Sequence, residues 1–267
     1  MQAILSLEIP YQPQLADVRI GSNAAVLHAV QQWASTVVKL RTMPPESRQL
    51  LDALNISRCM VCWGGSGVGK SALALALENT TGALRLNETS TPRLFELALN
   101  DSRICAVVID NIDQLDTAQA RAAFNLYNYV KSTPYLHFWA SSRVPPSYMN
   151  TVLPDLSSRL AWGLVFELLP LTDSDSVYVL QAQAQRLGFE LSDDVAHYLL
   201  LRLERNLSVL VDHLSTLNHY ALKLKKTVNI HLVQQWYTHI YLPSVALHPE
   251  SIALQEVIPL NIPPTLF

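Results

Sequence analysis

At 267 residues the chain suits one large domain or two smaller ones. Hydrophobic residues make up 49% and charged ones only 15%, so there is ample material for a core. The net charge of −3 gives no whole-chain argument for nucleic acid or an anionic membrane surface as a partner.

Met1 to Glu8 lacks a basic n-region, so a normal signal peptide is not expected, and no uninterrupted apolar run is long enough to span a bilayer. The cytoplasm is the expected compartment. Residues 1–23 carry Pro10 and Pro13 and show no helical period. Asn23 to Leu40 reads as a helix, because Val26, Leu27, Val30, Trp33, Val37 and Val38 recur at spacings of three and four. Thr42-Met43-Pro44-Pro45 interrupts it, and Glu46 to Leu54 reads as a second short helix.

The stretch Arg58 to Ala76 organises the rest. Cys59 to Trp63 is apolar and β-compatible, so a buried strand is expected. Gly64-Gly65-Ser66-Gly67-Val68-Gly69-Lys70-Ser71 then fits G-x-x-x-x-G-K-[ST], and a helix opens at once through Ala72 to Leu77. Glycines let such a loop wrap closely and point N–H groups at phosphate oxygens. The helix N-terminus adds partial positive charge. Lys70 is placed to reach the β- and γ-phosphates and the Ser71 hydroxyl to ligate Mg²⁺. The competing reading, a chance glycine-rich loop, is disfavoured by the strand before it and the helix after it.

Cys59-Met60-Val61-Cys62 looks like a metal- or redox-type pair. On a strand, though, the two thiols point to opposite faces, and two buried small hydrophobes is the better reading. Cys105 is the third and last cysteine, so no disulfide framework is expected.

Ala83 to Leu86 is a short strand candidate. Thr91 to Leu99 is a helix with Pro92 in its first turn. Ile104 to Asp110 is a fully apolar strand ending in an acid, as a sheet covered on both faces requires. Asp116 is placed to N-cap a helix from Thr117 to Lys131. Tyr135 to Ala140 is the next strand, Val152 to Leu160 a short helical piece, and Leu164 to Leu168 a last strand. Strand and helix alternate, so the core is α/β with a parallel sheet.

Past Pro170 the pattern is helical alone. Thr172 with Asp175 resembles a capping box and opens a helix through Leu187, with Gly188 as its C′ residue. Asp193 to Leu203, Leu207 to Leu224 and His231 to Tyr241 follow as helices. The division is therefore an α/β nucleotide-binding domain over 13–170, a small all-α lid over 171–241 and a Pro-rich tail over 242–267. The tail's end, Pro264-Thr265-Leu266-Phe267, reads either as a groove-docking peptide or as a loose terminus.

Asp110 closes the Walker B strand and is the expected Mg²⁺-shell carboxylate opposite Ser71; an ordinary strand-end Asp is the alternative. Many ATPases of this class carry a second acid next, whereas this chain has Asn111. An amide orients water but cannot accept a proton, so intrinsic hydrolysis should be slow. Asp113 is acidic and nearby, already on the turn. Ser141 or Ser142, at the next strand end, is placed to touch the γ-phosphate or the water, or else belongs to a plain turn. The eight histidines show no ligand spacing, so no metal beyond Mg²⁺ is expected.

Three segments carry a resemblance: Leu153-Pro154-Asp155-Leu156-Ser157-Ser158-Arg159-Leu160-Ala161-Trp162-Gly163, the string Ile109-Asp110-Asn111-Ile112, and Phe124-Asn125-Leu126-Tyr127-Asn128. Together they resemble the DnaA-related AAA+ family, and its Hda-like members more than DnaA itself, since those also carry Asn after the Walker B Asp. The likeness runs to about Tyr237. It implies an AAA+ core with a helical lid, bound ADP or ATP with Mg²⁺, and residence in the bacterial cytoplasm. It also implies that Arg159 is an arginine finger acting in trans on nucleotide held by a DnaA subunit. A guanidinium at the γ-phosphate is worth about 10³–10⁵ in rate; the alternative is a surface or salt-bridged arginine. Hda-like proteins bind the replicase sliding clamp, the β subunit of DNA polymerase III, through a Q-L-x-L-x-L-type peptide. Gln2, Leu5 and Leu7 match it within residues 1–12, and Ala3 departs from it. DNA is then reached only through the clamp. Nothing after residue 242 has the helix pair or basic face of an origin-reading domain.

One further departure concerns the lid. The DnaA-like G-N-V-R reads here Arg205-Asn206-Leu207-Ser208, with Ser208 at the arginine's place and Arg205 as a candidate substitute. Two other function classes stay open from the residues: a helicase-loader or motor ATPase working on its own ATP, and a non-catalytic adaptor that only tethers partners. Self-association also stays open.

Overall fold

The computed structural model describes residues 13–19, 21–48, 58–149, 154–203 and 206–241, apart from the side chains of Ser208 and Ile240. These residues fall into two compact units divided after Val179, with 206–210 returning to the first. Gln2, Leu5, Leu7, most of the helix expected over Glu46 to Leu54, and the tail lie outside the described residues.

The first unit is built on five strands, β1 (Cys59–Trp63), β2 (Leu84–Leu86), β3 (Ala106–Ile109), β4 (His137–Ser142) and β5 (Leu164–Glu167). Their order is β2-β3-β4-β1-β5 and every neighbouring pair is parallel. Parallel neighbours need crossovers. The connections include α3 (Lys70–Thr81), α4 (Pro92–Asn100), α5 (Thr117–Ser132) and α6 (Pro154–Leu160), after an N-terminal pair α1 (Ala24–Thr42) and α2 (Pro45–Arg48). The period-two alternation of β1 divides the core. Met60 and Cys62 pack with Trp33, Val37, Leu73, Leu77 and Trp139 on one face. Cys59 and Val61 pack with Phe95, Leu126, Tyr127, Phe138 and Leu160 on the other. The two thiols of the C-x-x-C string thus lie in different cores, as strand geometry requires. Burial pushes the Cys62 thiol up to about 12.

The order of the strands is decisive for the site. Strand β1 is flanked by β4 and β5, so the loop after Trp63 emerges between their ends, with the end of β3 next beyond β4. Strand β4 starts at His137 instead of Tyr135, because the chain leaving α5 makes a turn in which Leu136 N–H bonds Thr133 O at 3.1 Å. It runs on to Ser142, opposite Trp63, so both serines belong to the strand and not to a turn.

Helix ends follow their sequence signals. Asp116 caps α5, its carboxylate accepting the Gln119 N–H at 2.8 Å while the Gln119 side chain accepts the Asp116 N–H at 2.9 Å. Asn23 precedes α1 without capping it. Its carboxamide instead clasps the backbone of Leu169, donating to the carbonyl at 3.0 Å and accepting from the N–H at 2.9 Å.

Helix α7 (Asp173–Arg186) opens at Thr172, whose hydroxyl accepts the Asp175 N–H at 3.2 Å. The second unit then holds α8 (Asp193–Arg202), most of α9 (Leu207–Leu224) and α10 (Ile230–Trp236). Gly188 at φ 83° turns the chain out of α7, and Phe189 N–H returns to Ala184 O at 3.0 Å. Leu180, Ala184, Leu199, Leu214, Leu217 and Trp236 are buried in this helical cluster. The expected helix over His231 to Tyr241 ends early as an α-helix: from Tyr237 it widens into a π-turn through Tyr241. Among the described residues no helix is long and apolar enough to cross a membrane.

Candidate functional site

The loop 64–69 leaves β1 with Gly64 N–H bonded to Ser142 O at 3.1 Å, which fixes its base against β4. Gly67 (φ 76°) and Gly69 (φ 94°) occupy backbone conformations that a side chain would strain, and Gly69 is the N-cap of α3. The loop therefore closes directly onto a helix N-terminus whose first N–H groups lack intrahelical partners. Ser71 and Ala72 stand exposed on that first turn. Lys70 is buried, and its ammonium donates to Gly64 O at 2.8 Å and Gly65 O at 2.6 Å. Burial lowers its pKa, against the opposing pull of Asp113 and then Asp110.

Asp110 follows β3 and is buried, with its N–H on Leu86 O at 2.8 Å. Ser141, fully buried on β4, donates its hydroxyl to Asp110 Oδ1 at 2.5 Å and accepts the Asn111 N–H at 2.8 Å. Its hydroxyl is thus committed to holding Asp110 and the turn after it. Ser142 likewise donates to Val144 O at 2.7 Å. Asn111 sits at φ 53°, ψ 50°. This is the left-handed region, where Asn is among the few tolerated side chains.

That turn brings in Asp113. Its side chain is 7% exposed and pairs with Arg143, Nε to Oδ2 at 2.8 Å, while Arg143 N–H reaches Oδ1 at 3.2 Å. The sequence placed Asp113 on a turn and passed over Arg143. Asn206 was read only as part of the lid string and given no role: its amide donates to Ser66 Oγ at 3.0 Å, at the crest of the loop. Neither contact had a sequence signal, because both depend on how distant loops meet. Arg205 and the side chain of Ser208 lie outside the described residues.

Arg159 is elsewhere. Its guanidinium lies over Phe124 at 5.3 Å and Trp162 at 5.4 Å, and its carbonyl accepts the Tyr127 hydroxyl at 2.7 Å. Four residues on, Gly163 packs so tightly that a Cβ there would meet Cys59 O at 2.6 Å. Cys59 starts β1 and the loop follows its other end, about 13 Å away for a strand of this length. The structure therefore gathers Gly64 to Ser71, Asp110, Asn111 and Ser141 into one site and sets Arg159 apart from it.

Chemically, the assembled residues fit a magnesium nucleotide. The left-handed glycines and the α3 N-terminus form an anion cradle, Lys70 supplies the cation beside it, and Ser71 with Asp110 offers the hard oxygen donors that Mg²⁺ prefers. Among the described residues no group of three or more His, Cys, Asp or Glu could hold a metal by itself.

Comparison with known proteins bears on the fold. Residues 173–236 match the family model described as the lid domain of Hda. Domain III of the Thermotoga maritima replication initiation protein DnaA superposes with TM-score 0.62 at 15% identity, over 89% of this chain and 95% of that one. AMPPCP-bound DnaA from Aquifex aeolicus superposes with TM-score 0.55 at 16% identity, over 90% and 72%. The RuvB Holliday junction branch migration motor of Thermotoga maritima reaches TM-score 0.58 at 16% identity, over 85% and 72%. The fold is the one these proteins share, a parallel α/β core with an all-α lid.

Proposed function

We propose that this DnaA-related AAA+ protein, whose residues 173–236 form an Hda-type lid, is a nucleotide-bound regulator of replication initiation that acts on a partner's ATP. It holds ADP or ATP with Mg²⁺ at Gly64 to Ser71. Its Arg159 reaches the triphosphate of a neighbouring DnaA, and Gln2, Leu5 and Leu7 dock on the sliding clamp.

The observation that carries the reading is the position of Arg159. It stands half-buried near the start of β1, against Phe124 and Trp162, while the phosphate cradle follows the opposite end of that strand. A guanidinium so placed serves a nucleotide held by another subunit, not its own. When bound, Mg²⁺ would neutralise charge on the β- and γ-phosphates. This chain's residues do the rest. Loop N–H groups and Lys70 hold the phosphates, and Ser141 keeps the Asp110 carboxylate aimed by donating to it. Asn111 offers an amide where no proton can be accepted, so the nucleotide persists as a structural ligand.

The test is single-turnover hydrolysis of ATP preloaded on a cognate DnaA, with clamp loaded on DNA, with and without this protein. Acceleration lost on Arg159→Ala, with the protein's own nucleotide retained, supports the reading. Acceleration that survives the substitution sinks it, and robust turnover by the isolated protein favours a motor or loader.

A further inference from the structure

The nucleotide site contains a second carboxylate, and it is tied down. A continuous chain of bonds runs from Lys70 to Gly64 O, from Gly64 N–H to Ser142 O, and on along the backbone to Arg143. Arg143 then bonds Asp113 at both oxygens, through Nε at 2.8 Å and its own N–H at 3.2 Å. From the other side, Asn111 N–H on Ser141 Oγ fixes the turn that delivers Asp113. Asp113 is thus a nearly buried carboxylate beside the cradle, its charge balanced by Arg143 and one lone pair of each oxygen already engaged. Its negative charge is felt at Lys70 more strongly than that of Asp110.

We propose that Asp113 is a latent general base for this chain's own nucleotide and that Arg143 holds it out of service. This inference rests on the nucleotide-binding reading above. With the pair intact, a water beside the γ-phosphate meets the Asn111 amide and a carboxylate already occupied. With the pair opened, the water oxygen attacks the γ-phosphorus, its proton passes to Asp113, the bond from phosphorus to the β–γ bridging oxygen breaks, and ADP leaves with inorganic phosphate. Asp113 then returns the proton to solvent. Arg143 is a positioning residue in this scheme, since it acts only through Asp113. The guanidinium is largely exposed, 57% for the side chain, so a partner's carboxylate or phosphate has access to it.

The experiment measures two things on the full-length protein: binding of a fluorescent ATP analogue, and single-turnover hydrolysis of bound ATP. Wild type, Arg143→Ala, Arg143→Gln, Arg143→Lys and Arg143→Ala/Asp113→Asn are compared. Arg143→Ala and Arg143→Gln are expected to hydrolyse about tenfold faster or more, a positioned base being worth about 10²–10⁴. Arg143→Lys, which keeps a cation, stays near the wild-type rate, and adding Asp113→Asn removes the gain. Rates that do not rise in either Arg143→Ala or Arg143→Gln, with binding intact, overturn the proposal, as does a gain that survives Asp113→Asn. The Gln variant keeps the side-chain bulk in case the Ala variant fails to fold. Failure of the wild-type protein to bind nucleotide would instead bring down the reading beneath it.

Discussion

Ser141 Oγ donates to Asp110 Oδ1 at 2.5 Å, joining the end of β4 to the residue after β3. Both residues are buried, so Ser141→Ala leaves a carboxylate oxygen short of a donor and the Asn111 N–H short of an acceptor. Unmet bonds of this kind cost about 1–3 kcal/mol each. Ser141→Ala should therefore lower the urea midpoint and loosen nucleotide binding together. Lys70→Ala should abolish binding with a smaller loss of stability.

Asn111 gives a different kind of test. At φ 53° a Glu pays the left-handed penalty that Asn escapes in part, roughly 1–2 kcal/mol. Asn111→Glu is expected to destabilise by about that much and to gain little hydrolysis, because the backbone does not present the new acid as an extended one would. Asn111→Gly should be neutral within about 0.5 kcal/mol. Equilibrium unfolding of the three proteins decides it, and a stable, fast Asn111→Glu would contradict the backbone argument.

His137 sets an acid limit. Burial against Trp33 pushes its pKa down from 6.5 to about 4. Between those values the unfolded chain takes up a proton at this ring and the folded chain does not, so stability falls as pH drops through the window. The full loss approaches about 3 kcal/mol at pH 4. Unfolding free energies measured from pH 7 to pH 4 should show that slope, and His137→Gln should flatten it.

Trp162 and Phe124 hold the Arg159 guanidinium at 5.4 and 5.3 Å. Trp162 is 67% exposed, so Trp162→Ala costs the fold little. Under the function proposed above, it should nevertheless reduce stimulation of a partner's hydrolysis several-fold by releasing the arginine, with the protein's own nucleotide affinity unchanged. Gly163→Ala should do both, since its methyl meets Cys59 O.

The parallel core was legible because β1 and β3 are continuous apolar runs and the loop between Gly64 and Ser71 has fixed spacing. The N-cap at Asp116 and the left-handed stop at Gly188 were equally local, though the reciprocal bond from Gln119 was not foreseen. What escaped was set by distant contacts. Strand β4 shifted by two residues because the chain leaving α5 turns through Thr133 to Leu136 before the strand pairs with β3 and β1. That shift turned Ser141 from a strand-end candidate into the support of Asp110. Asp113 with Arg143, and Asn206 with Ser66, join loops that nothing in the local sequence relates.

The strand order has a consequence for biosynthesis. β1 pairs with Phe138 and its neighbours about 80 residues downstream, and with Leu164 and its neighbours about 100 downstream. The phosphate loop is therefore translated early and assembled late. Until β4 and β5 leave the ribosome, Cys59 to Trp63 is an apolar segment with both edges open, and closing such long loops is slow. Cellular nucleotide, by binding only the finished cradle, would act as a mass-action trap that pulls this late step to completion.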